Sequence, residues 1–199
     1  MSSVAIIDSG GANIASLKFA LERLGTDARL TTDAKTIEAA DHVILPGVGA
    51  AAAAMRQLKA SGLDEVVPTL KQPVLGICLG MQLLAEASEE DDAECLGIIP
   101  GIAQKLSASP DTPVPNMGWC PTSSIRDNPL LNDIDDGSYF YFVHSYALPV
   151  ADYSVATATH NAQFTAAIAY KNFYATQFHP ERSSAAGAKI LANFLELQA

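Results

Sequence analysis

The stretch Pro73-Val74-Leu75-Gly76-Ile77-Cys78-Leu79-Gly80 decides how this chain folds, because it joins an apolar strand to a helix through a sharp turn. Gly76 and Gly80 flank Cys78, where a Cβ atom would collide with neighbouring backbone, so the turn holds the cysteine exposed at the strand's carboxyl end. The helix starting at Leu79 directs its positive end at the sulfur, which favours the reactive thiolate. Cys78 is therefore predicted to be a nucleophile; the alternative is a buried structural cysteine.

Outward from this turn, short apolar strands alternate with helices. Strands are predicted at residues 4–8, 28–32, 42–45 and 73–77, and helices at 14–24, 50–60 and 79–87. Continuous apolar strands that alternate with helices are typical of a parallel sheet covered on both faces.

The second half of the chain changes character, because strands follow one another with few helices between. Strands are predicted at residues 96–106, 139–148, 153–159, 164–170 and 173–178, and a final helix at 183–197. Residues 164–177 read as a hairpin turning at Lys171-Asn172. We expect one α/β domain over residues 1–199, with a central, mostly parallel sheet, helices on both faces and added antiparallel strands.

Composition excludes several classes of function. The chain has 199 residues and a formal net charge of −10, which disfavours a nucleic-acid partner. Its apolar runs are too short to span a bilayer, and its three cysteines do not make a disulfide framework. We therefore expect a cytoplasmic enzyme without a membrane partner. The acidic residues 88–94 are predicted to be a solvated loop or a frayed helix end.

His179 and Glu181 supply the two groups that a nucleophilic cysteine needs. Both follow the predicted strand 173–178, and residues two apart in extended backbone point to the same side. A thiol that attacks a carbonyl needs a base, and the base needs a carboxylate to orient it. By itself His-x-Glu is more often a surface strand end, but together with Cys78 it predicts a catalytic triad.

Pro46-Gly47-Val48-Gly49 also ends a predicted parallel strand. The glycines on both sides of Val48 let its backbone N–H rotate toward the nucleophile. With the N–H of Leu79, it would form an oxyanion hole. The alternative is an ordinary Pro-Gly turn.

Several motifs together resemble the class I, or triad, glutamine amidotransferases over essentially the whole chain. The motifs are Pro46-Gly47-Val48-Gly49, Gly76-Ile77-Cys78-Leu79-Gly80-Met81-Gln82, Asn116-Met117-Gly118-Trp119, Phe142-Val143-His144-Ser145-Tyr146 and His179-Pro180-Glu181-Arg182-Ser183. The Cys and His-x-Glu elements are shared by the family. The other motifs resemble one subfamily, the glutaminase subunits of imidazole glycerol phosphate synthases in histidine biosynthesis.

The resemblance implies a reaction and a substrate pocket. Cys78 would attack the side-chain amide of glutamine, giving a glutamyl thioester and ammonia, and water would release glutamate. Gln82, His144, Ser145 and the backbone of Gly49 match positions that bind glutamine. On the residues alone, His144 would be a hydrogen-bonded core histidine.

The resemblance also implies a partner. Ammonia would pass to a cyclase subunit, a (β/α)₈ barrel, in a heterodimer, with Asn13, Tyr141 and Arg182 as candidates for the interface. No cofactor and no metal site are expected. We further expect the Val48 peptide to turn when the partner binds, which would make turnover depend on the cyclase.

Two departures and several alternatives stand beside this interpretation. The subfamily commonly has His where this chain has Asn116, and residues 8–13 differ from its usual loop. For residues 9–13, a phosphate cradle before the helix is a weaker alternative. Cys95 and Cys120 are interpreted as structural. The alternatives in function are a glutaminase for another acceptor, a peptide or ester hydrolase, and a non-catalytic regulatory module that binds a barrel.

Overall fold

A nine-stranded mixed sheet forms the centre of the structure. The computed structural model describes residues 3–10 and 14–198. Its strands are β1 (Val4–Ile7), β2 (Ala28–Thr31), β3 (His42–Gly47), β4 (Val74–Cys78), β5 (Ala85–Ser88), β6 (Ala93–Glu94), β7 (Ile99–Lys105), β8 (Asn116–Ser124), β9 (Tyr139–His144), β10 (Tyr146–Ala147), β11 (Ser154–His160), β12 (Ala162–Tyr170) and β13 (Phe173–Thr176). Its α-helices are α1 (Ile14–Arg23), α2 (Ala34–Glu38), α3 (Ala51–Ala60), α4 (Leu63–Val66), α5 (Leu79–Leu83) and α6 (Ser184–Glu196).

The large sheet has the order β2-β1-β3-β4-β13-β12-β11-β8-β9. From β2 to β13 neighbouring strands are parallel, and from β13 to β9 they are antiparallel. The predicted parallel sheet with added antiparallel strands is therefore confirmed. A second, four-stranded sheet has the order β10-β7-β5-β6.

Helices cover both faces of the sheet, because the side chains of its parallel strands alternate between two cores. In β1, Ala5 and Ile7 pack in one core with α3, α4 and α5, whereas Val4 and Ile6 pack in the other with α1 and α6. This alternation is the period-two pattern of a strand buried on both faces. Among the described residues, no helix is long and apolar enough to cross a membrane.

The hairpin of β12 and β13 brings distant parts of the chain together. Tyr170 pairs with Phe173 across the turn at Lys171-Asn172, as predicted. β13 then pairs in parallel with β4, with Thr176 opposite Ile77. The segments that follow β13 and β4 therefore leave the sheet side by side.

The predicted helix 79–87 is wrong beyond its first turns. Helix α5 ends at Leu83, and Ala85–Ser88 forms β5. The carbonyls of Leu83 and Leu84 accept hydrogen bonds from the N–H groups of Leu96 and Ile98, which lie in another segment. These long-range bonds take the acceptors that a continuing helix would need.

The acidic segment 88–94 is solvated in part, as predicted, since Glu89, Asp91, Asp92 and Glu94 are exposed, but it is neither a free loop nor a frayed helix end. Ser88 ends β5 and is 2% exposed. Glu90 accepts a hydrogen bond from the N–H of Ala51 at 2.9 Å, so its carboxylate satisfies the amino-terminal end of α3. Lys105 N–H donates to Glu89 Oε2 at 2.8 Å. The segment is held in place because its carboxylates bind backbone donors of other elements.

Candidate active site

A cavity of about 400 Å³ opens at the carboxyl ends of β3 and β4. The residues predicted from sequence that line it are Val48, Gly49, Cys78, Leu79, Gln82, His144, Ser145 and His179. Within the described residues, no cluster of three or more His, Cys, Asp and Glu side chains could hold a metal ion. The sequence-predicted nucleophile, oxyanion and substrate residues therefore share one space.

Cys78 occupies a strained turn between β4 and α5. Its backbone has φ 54° and ψ −108°, in a region that non-glycine residues rarely adopt. A Cβ atom on Gly80 would lie 1.8 Å from the carbonyl oxygen of Leu45, so α5 approaches β3 only because residue 80 is glycine. The tight contact fixes the start of α5 and with it the position of the sulfur.

His179 and Glu181 lie beside the cysteine because β13 pairs with β4. The His179 Nδ1 is 2.9 Å from Glu181 Oε1, and their side chains are 6% and 5% exposed. The expected extended backbone is wrong here, since Pro180–Arg182 is a turn of 3₁₀ helix. The segment is anchored by Ser183, whose hydroxyl donates to the His179 carbonyl at 2.7 Å.

One ring nitrogen of His179, Nδ1, is hydrogen-bonded to Glu181, and the other, Nε2, belongs to the ring that lines the cavity with Cys78. Its Nε2 is buried and has no hydrogen-bond partner among the described residues. Burial alone would lower the pKa of His179, but Cys78 and Glu181 more than offset that effect and raise the pKa to about 10. The ring therefore holds a proton near the sulfur at neutral pH.

Val48 and Leu79, the predicted oxyanion residues, both line the cavity. A Cβ atom on Gly47 would lie 2.9 Å from the Cβ of Leu79, so the end of β3 touches the start of α5. Leu79 is the first residue of α5, and its N–H has no partner within the helix. Gly49 has φ 94°, which a glycine adopts without strain.

Gln82 and His144 meet at the carbonyl oxygen of Tyr146. Gln82 Nε2 donates to it at 2.9 Å, and His144 Nδ1 lies 2.8 Å from it. The Nε2 of His144 lies 3.1 Å from Asn116 Nδ2, so both ring nitrogens have partners. Burial lowers the pKa of His144 to about 4, outweighing the effect of its hydrogen bond to the carbonyl. His144 is thus a neutral histidine whose ring lines the cavity.

Glu90 and Gln177 lie at the cavity and were not predicted from the sequence. Glu90 lines the cavity, yet it lies in the acidic segment, and nothing in that run distinguishes one carboxylate from its neighbours. Gln177 is 0% exposed and contacts both Cys78 and Gln82. The position of Gln177 two residues before His179 could have indicated a place near the site, but the strand pattern alone assigned Gln177 to the core.

The residues predicted to face a partner lie outside the cavity. The guanidinium of Arg182 stacks 4.7 Å from the ring centre of Tyr141, and Trp119 meets that ring edge-on at 6.1 Å. The backbone carbonyl of Tyr141 accepts a hydrogen bond from the N–H of His179 at 2.9 Å. Asn13, the third predicted interface residue, lies outside the described residues. One backbone hydrogen bond therefore connects this aromatic surface to His179, which lines the cavity.

The fold and this site together define a class of protein. The family model for glutamine amidotransferase class-I matches residues 5–197, and the chain belongs to this family. Two relatives have the name imidazole glycerol phosphate synthase subunit HisH. The one from Vibrio parahaemolyticus is 50% identical over 200 residues, covering 98% of each chain. The one from Xylella fastidiosa is 49% identical over 199 residues, covering all of both chains.

Solved structures with the same fold are much more distant in sequence. A glutamine amidotransferase structure matches with a TM-score of 0.76 at 16% identity, covering 97% of both chains. The structure of PurLQS from Thermotoga maritima matches with a TM-score of 0.72 at 17% identity, covering 98% of both chains. These matches confirm the predicted α/β amidotransferase fold.

Proposed function

We propose that this chain is the glutaminase subunit of an imidazole glycerol phosphate synthase, acting in histidine biosynthesis. Relatives with that subunit name match at 49–50% identity over nearly the full length. We further propose that residues 1–199 form one glutamine amidotransferase domain and that Cys78, His179 and Glu181 are its catalytic triad. The three cysteines are free thiols, in keeping with a cytoplasmic location.

One observation supports the triad above the others. The Nε2 of His179 is buried and unpaired among the described residues, while its Nδ1 is held by Glu181. A buried polar atom without a partner costs stability, so its presence calls for an explanation such as a catalytic role. The same ring and Cys78 line one cavity. A substrate in that cavity would give Nε2 its missing partner.

In the first half of the reaction, the sulfur of Cys78 attacks the side-chain amide carbon of glutamine. The carbon–sulfur bond forms as the carbonyl becomes an oxyanion, and the N–H groups of Val48 and Leu79 stabilise it. The protonated Nε2 of His179 then gives its proton to the amide nitrogen. The carbon–nitrogen bond breaks, which releases ammonia and leaves a glutamyl thioester on Cys78.

In the second half, water attacks the thioester. The neutral His179 takes a proton from the water, and the carbon–sulfur bond breaks to release glutamate. Glu181 stabilises the imidazolium that forms and keeps Nδ1 as the donor to its carboxylate. The net change is glutamine and water to glutamate and ammonia, with the enzyme unchanged.

The remaining cavity residues would bind the amino-acid end of glutamine. Glu90 supplies a negative charge that suits the substrate's α-ammonium group. Gln82 has its amide oxygen available, since both hydrogens of its nitrogen are used. We place Gly49 and Ser145 against the rest of the substrate, and His144 as the neutral wall beside it.

We propose a heterodimer in which ammonia passes to a cyclase subunit with a (β/α)₈ barrel. The docking surface would be centred on Tyr141 and Arg182, with Asn13 as a further candidate. Met117 and Trp119 support this surface, since they are 65% and 50% exposed, unusually high for large apolar side chains. Such aromatic and arginine side chains are the common anchors of protein interfaces.

The test is reconstitution with the cyclase. Glutamate release is measured for the wild-type chain and for Cys78→Ala, each in complex with the cyclase, and cyclase product is measured with glutamine or with free ammonia. We expect Cys78→Ala to lose the glutamine-dependent reaction and to keep the ammonia-dependent one. Glutamine turnover in the Cys78→Ala complex would contradict the triad. A wild-type complex without turnover would instead favour a non-catalytic, barrel-binding module.

A further inference from the structure

Gln177 lies behind the cavity, where it contacts two residues that line it. Its side chain is 0% exposed. Its Nε2 is 3.9 Å from the sulfur of Cys78, and its Oε1 is 3.3 Å from the Nε2 of Gln82. The proposed chemical steps give Gln177 no task, although it joins the nucleophile to a substrate-binding side chain.

The direction of these hydrogen bonds follows from one backbone carbonyl. The oxygen of Tyr146 can only accept, so Gln82 must place its NH₂ group there, at 2.9 Å. The second hydrogen of that NH₂ group then faces Gln177, which must present its oxygen. The NH₂ group of Gln177 is thereby turned toward the sulfur of Cys78.

His144 restrains the same carbonyl from the other side. Its Nδ1 must carry the hydrogen, because the Tyr146 oxygen 2.8 Å away is an acceptor. Its Nε2 then accepts from Asn116 Nδ2 at 3.1 Å. Both donors on the carbonyl come from buried side chains, so Gln82 cannot turn its amide round without placing two acceptors in contact.

The sulfur of Cys78 has a different partner in each protonation state. As a thiol it can donate to the carbonyl of Val143, 3.7 Å away. As a thiolate it has no hydrogen to donate, and Gln177 offers it one. A hydrogen bond to a charged acceptor is stronger than one to a neutral acceptor.

We propose that Gln177 is a positioning residue, whose NH₂ group binds the Cys78 thiolate while its oxygen holds Gln82 against the substrate. The proposal rests on the glutaminase function and adds a link between the nucleophile and the substrate-binding side chain. Gln177 contacts no substrate in this scheme. It acts by fixing the two side chains that do.

Titratable groups surround the sulfur and must stay constant in any test. His144, His179, Tyr146 and Glu90 line the same cavity, and Glu181 is hydrogen-bonded to His179. Substitutions at residue 177 leave all five in place. A substitution that adds no titratable group, such as Gln177→Met, therefore reports on residue 177 itself through the pH dependence of Cys78 reactivity.

Two substitutions separate the two contacts. Gln177→Glu keeps an oxygen for Gln82 but removes the NH₂ group that faces the sulfur. Gln177→Met removes both contacts in a side chain of similar length. Asn193→Asp is the matched control, because Asn193 is a buried amide whose Nδ2 donates to the carbonyls of Leu130 and Asn132, away from the cavity.

The main measurement is alkylation of Cys78 by iodoacetamide as a function of pH, in the complex with the cyclase, followed by the mass of the peptide that contains Cys78. We expect the midpoint to rise by about one to two pH units in both Gln177 variants and to stay unchanged in Asn193→Asp. The KM for glutamine should change by less than about twofold in Gln177→Glu and rise by about tenfold in Gln177→Met.

An unchanged alkylation midpoint in folded Gln177→Met, which adds no charge, would overturn the proposal. If the variants do not fold, the wild-type chain still decides it by NMR of the Gln177 side-chain NH₂ group. That resonance should shift with the midpoint of Cys78 alkylation, and the shift should vanish in Cys78→Ala; a resonance insensitive to pH would also overturn the proposal. Because alkylation needs no glutamine, this proposal can be contradicted while the glutaminase function still holds.

Discussion

The neutral state of His144 predicts a defined loss of stability in acid. The pKa of His144 is lowered from 6.5 to about 4 by burial. As the pH falls below 6.5, the unfolded chain takes up a proton on this histidine and the folded chain does not. Stability must therefore decrease as the pH falls from 6.5 toward 4 and level off below that range.

The size of the loss follows from the same shift. Each pH unit between the two pKa values costs about 1.4 kcal/mol, so the loss reaches about 2 kcal/mol at pH 5 and about 3 kcal/mol in full. The substitution His144→Gln isolates this loss of stability, because glutamine keeps a donor and an acceptor but does not titrate. His42 and His179 titrate in both proteins, so their effects cancel in the comparison.

The assay is urea-induced unfolding followed by circular dichroism, at pH values from about 7.5 to 5. Between these limits, we expect the free energy of unfolding of the wild-type chain to fall by about 2 kcal/mol more than that of His144→Gln. The variant is less stable or equally stable near neutral pH, and only the difference in slope matters. Parallel profiles for the two proteins would refute the neutral, buried state of His144.

Three further predictions test the triad, the turn and the docking surface. Glu181→Gln removes the charge that helps keep His179 protonated, so the alkaline limb of glutamine turnover should move to lower pH and kcat should fall at least about tenfold. Gly80→Ala should lower the free energy of unfolding by about 3 kcal/mol or more, because the new Cβ would lie 1.8 Å from a backbone oxygen. The control Gly137→Ala should lower it by about 1 kcal/mol, because a Cβ there has no atom within 4 Å and only the backbone φ of 79° is unfavourable. Trp119→Ala should weaken cyclase binding by about 30-fold in calorimetry, and Ile102→Ala, equally apolar and 45% exposed on the small sheet, should not.

Each of these predictions has an outcome that contradicts it. If the alkaline limb does not move in Glu181→Gln, the carboxylate of Glu181 does not help to keep the imidazole of His179 protonated. Equal losses of stability in Gly80→Ala and Gly137→Ala would mean that α5 can move away from β3. Equal affinities in Trp119→Ala and Ile102→Ala would place the docking surface elsewhere.

The first half of the fold was predictable because its signals are local. Four apolar strands, each followed by a turn, predict a parallel sheet whatever the rest of the chain does. The same reasoning extended α5 to residue 87, since the residues after Leu83 are compatible with a helix. The helix ends because the N–H groups of Leu96 and Ile98 bind the carbonyls of Leu83 and Leu84. No local sequence pattern predicts these long-range hydrogen bonds.

The candidate site was predictable to the extent that its residues lie in motifs. Cys78, His179 and Glu181 stand in short patterns whose chemistry can be stated from residue types, and the structure brings them together as expected. Glu90 differs, because its role depends on where α3 begins. Only the three-dimensional arrangement shows that one carboxylate of an acidic run meets the N–H of Ala51 and lines the cavity.

The pairing of β13 with β4 explains why the site can exist at all. β13 follows β12 in an antiparallel hairpin, and its sequence is equally compatible with an edge position. Because it instead pairs in parallel with β4, the residues after Thr176 emerge beside Cys78. Gln177, His179 and the sulfur thereby meet at one point of the sheet, with Gln177 behind the nucleophile and His179 in front of it. The strand order, which no local pattern specifies, is what makes one cysteine of the three chemically distinct from the others.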